Sequence, residues 1–383
     1  MRKLVKLEKD LSIVFNSTIT EYINPDFVYI PIKKNYHLLV KNNEKVYKGQ
    51  IILENNLNKK LCPVSGKVVG VSKKNVDGTI KDVIVIENDF KEEEKNYKAK
   101  EIKYQKDIIV SKLYEFYFKY IASILESKKI NNLIINTLED EPYIANNNYI
   151  ASKYSKEILE IVDIFANTFN INRSIIAIKS NDTKLLENYL SKIGTYPNIN
   201  ISPIDDKYLL GKPFFLLEYL NLTEIDSLVI DSKTILEIYN AIKYNKNTYE
   251  TFITISGPSL KKSSVIKVKV GTLLSDVFDS KVKLANKDNL YILNGLMTGY
   301  ECDIKNTIVS KNTIGVVVIP KHEEKEHDCN KCGLCFKICP VKVNPKKIMD
   351  TKKISVNCLD CGLCSYVCPC HINLRKFLRG EHE

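Results

Sequence analysis

The chain has 383 residues, 57 Lys+Arg against 46 Asp+Glu and a formal net charge of +11; a chain this long can bury a sizeable core, divided over about two to four domains. No apolar run approaches the roughly 18 residues that a membrane-spanning helix requires. The lysines are scattered, and no helix-turn-helix, RNA-recognition or basic–aromatic pattern accompanies them, so nucleic acid is not an expected partner; the charge reads as a soluble surface, with an acidic protein or a membrane surface as the sharper alternative.

The opening "MRKLVKLEKDLSIVF" interrupts every apolar stretch with charge and offers no core for a signal peptide, which leads to the expectation of a cytoplasmic chain with reduced thiols. Over residues 1–100, "FVYIPI", "HLLV", "KVYKGQIIL", "SGKVVGVS" and "DVIVIEN" alternate with Asn, Gly, Pro and Lys turns and predict a small all-β module. The order "VKNNEKVYKGQIILENN" then "CPVSGKVVGVSKK" resembles the barrel-sandwich hybrid of biotinyl and lipoyl domains. No Met-Lys-Met-like tip surrounds Lys67, so it is not read as a prosthetic-group attachment site.

Over residues 105–245, apolar runs ("NLIINT", "SIIAIKSN", "SLVIDSK") alternate with helical stretches such as "SKEILEIVDIFANTFN" and predict a parallel α/β layer. One helix, Ser111 to Lys129, is nearly apolar all round and is expected in the core, with a partner-facing or membrane-surface role as the alternative. Residues 246–320 read as a compact α+β unit, and "KHEEKEHD" then forms a charged linker into a cysteine-rich segment, 321–383.

That segment holds "CNKCGLCFKICP" (Cys329 to Pro340) and "CLDCGLCSYVCP" (Cys358 to Pro369). A disulfide framework belongs to small secreted domains, and structural zinc takes two Cys-x-x-Cys pairs across a longer loop. Here a third Cys follows at once, and the doubled C-x2-C-x2-C-x3-C-P pattern is the one expected for two 4Fe–4S clusters whose fourth ligand comes from the other run. Cys329, Cys332, Cys335 and Cys368 are therefore assigned to cluster 1, and Cys358, Cys361, Cys364 and Cys339 to cluster 2. Pro340 and Pro369 help the chain turn away after each crossing ligand. Cys62, Cys302 and Cys370 fall outside the pattern and read as small buried hydrophobes, Cys302 being the best of them for thiol chemistry. His322, His327 and His382 lie in charged, solvated stretches.

With "PVSGKVV", "LIINTLEDEPYIA", "ITISGPSLKK", "LNGLMTG" and the doubled cysteine motif in this order, the chain resembles the RnfC-type subunits of bacterial electron-transport complexes, and equally the related proline reductase-associated electron transfer protein. The resemblance spans most of the chain. It implies a multidomain α/β and α+β protein: a barrel-sandwich hybrid (1–100), a Rossmann-like α/β domain of the flavin-binding type (105–245), an SLBB-like β-grasp domain (246–320) and a helical two-cluster ferredoxin domain (321–383). It also implies that Asn136, Glu139, Glu141 and Tyr143 belong to a residual nucleotide site. The family's glycine-rich phosphate loop has no counterpart, since Tyr104 to Lys129 contains no glycine, and FMN is accordingly doubtful.

The expected function is transfer of single electrons between a flavoprotein or ferredoxin donor and a reductase partner, with Lys331, Lys337, Lys346 and Lys347 around the clusters. The location is cytoplasmic, or peripheral on the inner face of the cell membrane in a membrane complex. The alternatives are a complete FMN-containing NADH dehydrogenase subunit and a regulatory module whose clusters sense oxygen or iron.

Overall fold

A computed structural model describes residues 20–55, 58–94, 103–321, 326–353, 355 and 357–379. The stretch "MRKLVKLEKDLSIVF", His322 and His382 lie outside the described residues.

Asp77 and Gly78 both take positive φ (51° and 84°), the geometry with which a two-residue turn joins two twisted strands. Gly66–Val76 and Thr79–Asn88 accordingly pair as a long antiparallel hairpin. Phe27–Pro31 and Lys45–Val46 flank it, and a second sheet contains His37–Leu38, Ile51–Glu54 and Lys59–Leu61. Val28, Ile52, Leu53, Val68 and Ile86 form their shared core. Lys67 stands opposite Glu87 within the hairpin, away from its tip.

The next unit is a parallel sheet in the order Ile199–Ile204, Arg173–Lys179, Asn132–Asn136, Ser227–Asp231. Every residue of Asn132–Asn136 is buried, as befits an apolar strand covered on both faces. Ile158, Ile161, Val162 and Phe165, at helical spacing on Ser155–Phe169, pack into this core with Tyr189, Ile235 and Ile238. Asp182 and Asp231 accept backbone N–H bonds from Leu185 and Thr234, and so start the helices Thr183–Ile193 and Ser232–Tyr244. The strand that follows Asn132–Asn136 lies on one side of it and Ser227–Asp231 on the other. Its carboxyl end is therefore the switch point at which open parallel sheets leave a crevice, and Thr137–Tyr143 occupies it.

The stretch Ser111 to Lys129 is not one buried helix. It breaks at Tyr117 (φ 69°) into Lys106–Glu115 and Lys119–Ser127. Ile109, Leu113, Ile121 and Leu125 are buried while Tyr114, Tyr117 and Tyr120 are exposed. Tyrosines pack through their rings and leave their hydroxyls wet, so a largely apolar run still has an outer face.

A mixed sheet follows, ordered Thr20–Tyr22, Ser264–Lys269, Glu250–Ser256, Gly315–Pro320, Asn289–Leu293, Tyr300–Glu301, with Val277 and Phe278 of helix Leu274–Lys281 in its core. Thr20–Tyr22 runs parallel to Ser264–Lys269, so the chain passes through this sheet before it builds the N-terminal module. Lys269, 1% exposed, ties the two units together: its ammonium donates to Glu92 Oε1 (2.5 Å) and to the Pro63 carbonyl (3.3 Å). The chain closes with short helices Leu334–Ile338, Pro345–Thr351, Leu363–Tyr366 and Leu374–Leu378. Among the described residues no helix is long and apolar enough to cross a membrane.

Candidate metal centre

The two cysteine runs repeat in conformation as well as in sequence. Lys331 and Asp360 (φ 61° and 50°), Gly333 and Gly362 (73° and 76°), and Lys342 and His371 (58° and 55°) are left-handed at matching places. Asn344 and Asn373 likewise precede matching helices. Left-handed residues between helical ones turn successive N–H groups inward, a backbone concavity suited to anionic sulfur. The Asp360 N–H reaches Cys358 Sγ at 3.4 Å, Leu363 serves Cys361, and Phe336 and Lys346 serve Cys335. Amide bonds to sulfur of this kind tune the potential of an iron–sulfur site.

Cys339, from the first run, lines one cavity with Cys358, Cys361 and Cys364 of the second. Cys329, Cys335 and Cys368 pack around the neighbouring core of Val343, Ile348, Ile372 and Leu374, and Cys332 lies close enough to bear electrostatically on Cys335. As they stand, no three His, Cys, Asp or Glu side chains among the described residues are drawn tightly enough to hold a metal ion. The four sulfurs of the second site surround a space instead, and an all-thiol donor set suits soft iron–sulfur chemistry. Burial pushes the Cys364 thiol up to about 12 and raises Cys335, Cys358 and Cys361, so a bound cation must supply the field that makes these groups thiolates.

The second run is pressed into the body of the protein. A Cβ on Gly362 would collide with the Met297 carbonyl, Leu363 is 3% exposed, and the Tyr208 hydroxyl donates to the Cys361 carbonyl at 2.7 Å. Arg375, which sequence reasoning overlooks, is the clamp. Its guanidinium donates to both Asp360 oxygens (2.6 and 2.9 Å), to Gly299 O (3.1 Å) and to Thr298 O (2.5 Å). The available signal is Asp360 itself, the one acidic residue between the cysteines of either run. The first run has no such cover: Cys332, Leu334 and Phe336 are exposed.

Asn136, Glu139, Glu141 and Tyr143 share the switch-point loop, each with its own attachment. Asn136 Nδ2 donates to Gly211 O (2.5 Å) while its oxygen accepts from the Leu138 N–H (3.1 Å). Glu139 accepts from the Asn148 N–H at 3.0 Å. Glu141, 5% exposed, accepts from the Met297 N–H (2.8 Å) and the Thr298 hydroxyl. Tyr143 takes φ 63°, and its carbonyl accepts from Ser256. Burial pushes Glu139 up to about 8 and Glu141 up to about 7. Met297 and Thr298 thus join the acidic loop on one side to Gly362 and Arg375 on the other.

A flavin does not fit the crevice as the residues stand. Between Glu139, Glu141, Lys179, Lys207, Tyr208 and Gly211 there is ≈ 10 Å³ of space, about one water, because Gly211 is backed onto the Glu139 main chain and the Asp140 carboxylate. A wider cavity of ≈ 360 Å³ lies beyond Pro142 and Tyr143, between Leu296, Met297, Tyr366 and Arg375.

Cys62, Cys302 and Cys370 are buried. Burial pushes the Cys62 and Cys302 thiols up to about 12, which leaves Cys302 protonated and unsuited to the thiol chemistry considered for it.

Residues 114–241 match the protein family described as the Nuo51 FMN-binding domain. This corrects the doubt about FMN drawn from the glycine-free stretch: the domain is of an FMN-binding type, although its crevice is closed here. The chain is 25% identical over 357 residues to a subunit of the proton-translocating ferredoxin:NAD(+) oxidoreductase complex of Clostridium ljungdahlii, covering 85% of this chain and 78% of that one. It is 28% identical over 359 residues to the corresponding subunit of the ion-translocating oxidoreductase complex of Buchnera aphidicola, covering 85% and 75%. Its fold is similar to a chain of an NAD+-reducing NiFe hydrogenase in the H2-reduced state (TM-score 0.50, 11% identity, 72% of this chain and 60% of that one).

Proposed function

The chain belongs to the RnfC-type subunits of ion-translocating oxidoreductase complexes, and from that premise we propose that it carries single electrons through two 4Fe–4S clusters. Cluster 1 is held by Cys329, Cys332, Cys335 and Cys368, and cluster 2 by Cys358, Cys361, Cys364 and Cys339. The observation that carries this reading is the crossing, with Cys339 beside Cys358, Cys361 and Cys364 around one cavity. Each cluster, when bound, accepts and releases one electron. The chain's own residues supply thiolates, amide N–H groups aimed at sulfur and, at the second site, a dry shell of Val343, Leu363 and Leu378.

The relatives' names speak of ferredoxin, NAD+ and ion translocation, and with no membrane-spanning helix among the described residues the chain fits a peripheral subunit. Its redox partners are a ferredoxin, flavoprotein or reductase.

A second reading, an FMN-containing NADH dehydrogenase subunit, is favoured by the FMN-binding family match over residues 114–241. Anaerobic purification separates the two. The carrier reading expects about eight irons per chain and clusters that NADH alone leaves oxidised. Stoichiometric FMN with bleaching by NADH establishes the second reading, and zinc in place of iron overturns both.

A further inference from the structure

We propose that the exposed face of the first cysteine run is the docking surface for an acidic electron-transfer protein. This makes cluster 1 the outer terminal of the chain and cluster 2 the inner one, and it rests on the two-cluster reading above.

The two runs offer the same ligand spacing to very different surroundings. Leu334 and Phe336 are 42% and 43% exposed, whereas Leu363, at Leu334's place in the repeat, is 3% exposed. From Cys329 to Lys353 the only acidic residue is Asp350, which Lys346 neutralises, while Lys331, Lys337, Lys342, Lys347, Lys352 and Lys353 are all exposed. Lys331 and Lys337 bracket the two apolar side chains in sequence. The first turn of Pro345–Thr351, which carries Lys346 and Lys347, lies against the same cysteines, since the Lys346 N–H serves Cys335.

An apolar centre with a rim of cations matches a partner with an acidic rim around its own exposed redox centre. The long-range field steers such a partner to the face, and Leu334 and Phe336 exclude water once it is seated. The second run cannot serve, because Asp360, Gly362 and Leu363 already face Arg375, Met297 and the core. Conversely, Tyr208 links that run to the α/β unit, and Met297 and Arg375 link it to the 295–299 loop, so an electron reaching cluster 2 from within the protein leaves through cluster 1. The transfer is a single electron that oxidises one centre and reduces the other, with no bond made or broken.

The test uses the full anaerobic chain and a small acidic ferredoxin as probe. Stopped-flow absorbance gives the second-order rate constant, and calorimetry gives Kd. The rate should fall about tenfold or more between about 50 and about 300 mM NaCl as screening shortens the field. A triple Lys331→Glu, Lys337→Glu, Lys347→Glu variant should lose about tenfold or more at low salt, with iron content and visible spectrum unchanged. Leu334→Ser with Phe336→Ser should raise Kd while keeping the salt slope. Lys73→Glu with Lys81→Glu, on the N-terminal hairpin, is the control. The proposal is overturned if the triple variant keeps its iron and its rate, or if the hairpin variant loses as much. It is also overturned if the three lysines govern sedimentation with phosphatidylglycerol vesicles and leave the ferredoxin rate untouched, which assigns the face to a membrane. Absence of iron from the wild-type chain defeats the cluster reading, and the calorimetric arm still decides whether the face binds the acidic protein.

Discussion

Lys346 and Arg375 stand at the same place in the cysteine repeat, each two residues after the asparagine that precedes its helix. Lys346 reaches one turn along its own helix to Asp350, in solvent, whereas Arg375 turns inward and joins Asp360 to the carbonyls of Thr298 and Gly299. The pair teaches that ligand spacing and site environment are separable. Two runs can present sulfur in one backbone geometry, and what each run is packed against then decides whether it is a wet terminal or a dry junction.

The largest expected break in the comparison is at the crossing ligands. Cys339→Ala should remove the cluster held by Cys358, Cys361 and Cys364, with about half of roughly eight irons lost; loss of the other cluster, read by EPR and iron analysis, contradicts the crossing. Cys370→Ala should leave both.

Next come the two cations. Arg375→Ala removes hydrogen bonds to the half-exposed Asp360 carboxylate and leaves the Thr298 and Gly299 carbonyls without this donor, and should cost about 1–3 kcal/mol in anaerobic urea unfolding. Lys346→Ala, losing an exposed pair, should cost no more than about 0.5 kcal/mol. Equal effects would mean the two halves are equally buried.

The glycines sharpen the contrast. Gly333→Ala meets open space and should cost only the left-handed φ, about 1–2 kcal/mol. Gly362→Ala carries the same cost and also collides with the Met297 carbonyl, so its urea midpoint should fall further; coincident midpoints would show that the second run is not held against the 295–299 loop.

A last contrast lies in pH dependence. The Glu141 carboxyl is pushed up to about 7 by burial, above its value in the unfolded chain. The folded state therefore binds the proton more tightly, and this contribution weakens stability as pH rises from about 4.5 to about 7, then levels off. Glu141→Gln should flatten that part of the stability profile; an unchanged slope places the titration elsewhere.

Much of the α/β unit was legible because its strands are short apolar runs whose burial any parallel sheet requires. The break at Tyr117 was not, because the aromatic side chains from Tyr114 to Tyr120 satisfy a helical pattern equally well whether or not one face stays wet. Asn136, Glu139, Glu141 and Tyr143 were legible as neighbours on one loop. Their attachments to Gly211, Asn148 and Met297 were not, since each partner lies beyond the loop, on another element or another unit.

The amino-acid sequence by itself determined the doubled cysteine spacing, the left-handed glycines that spacing needs, and the alternation that builds the parallel sheet. All of these act within a few residues, where backbone geometry and periodicity suffice. Only the tertiary structure decided that Leu334 faces solvent and Leu363 the core, that Arg375 clamps one run alone, and that the switch-point crevice is closed by the segment carrying Gly211. Burial is a property of what arrives from elsewhere in the chain, and two motifs of one spacing cannot announce in their own residues which of them the rest of the protein will cover.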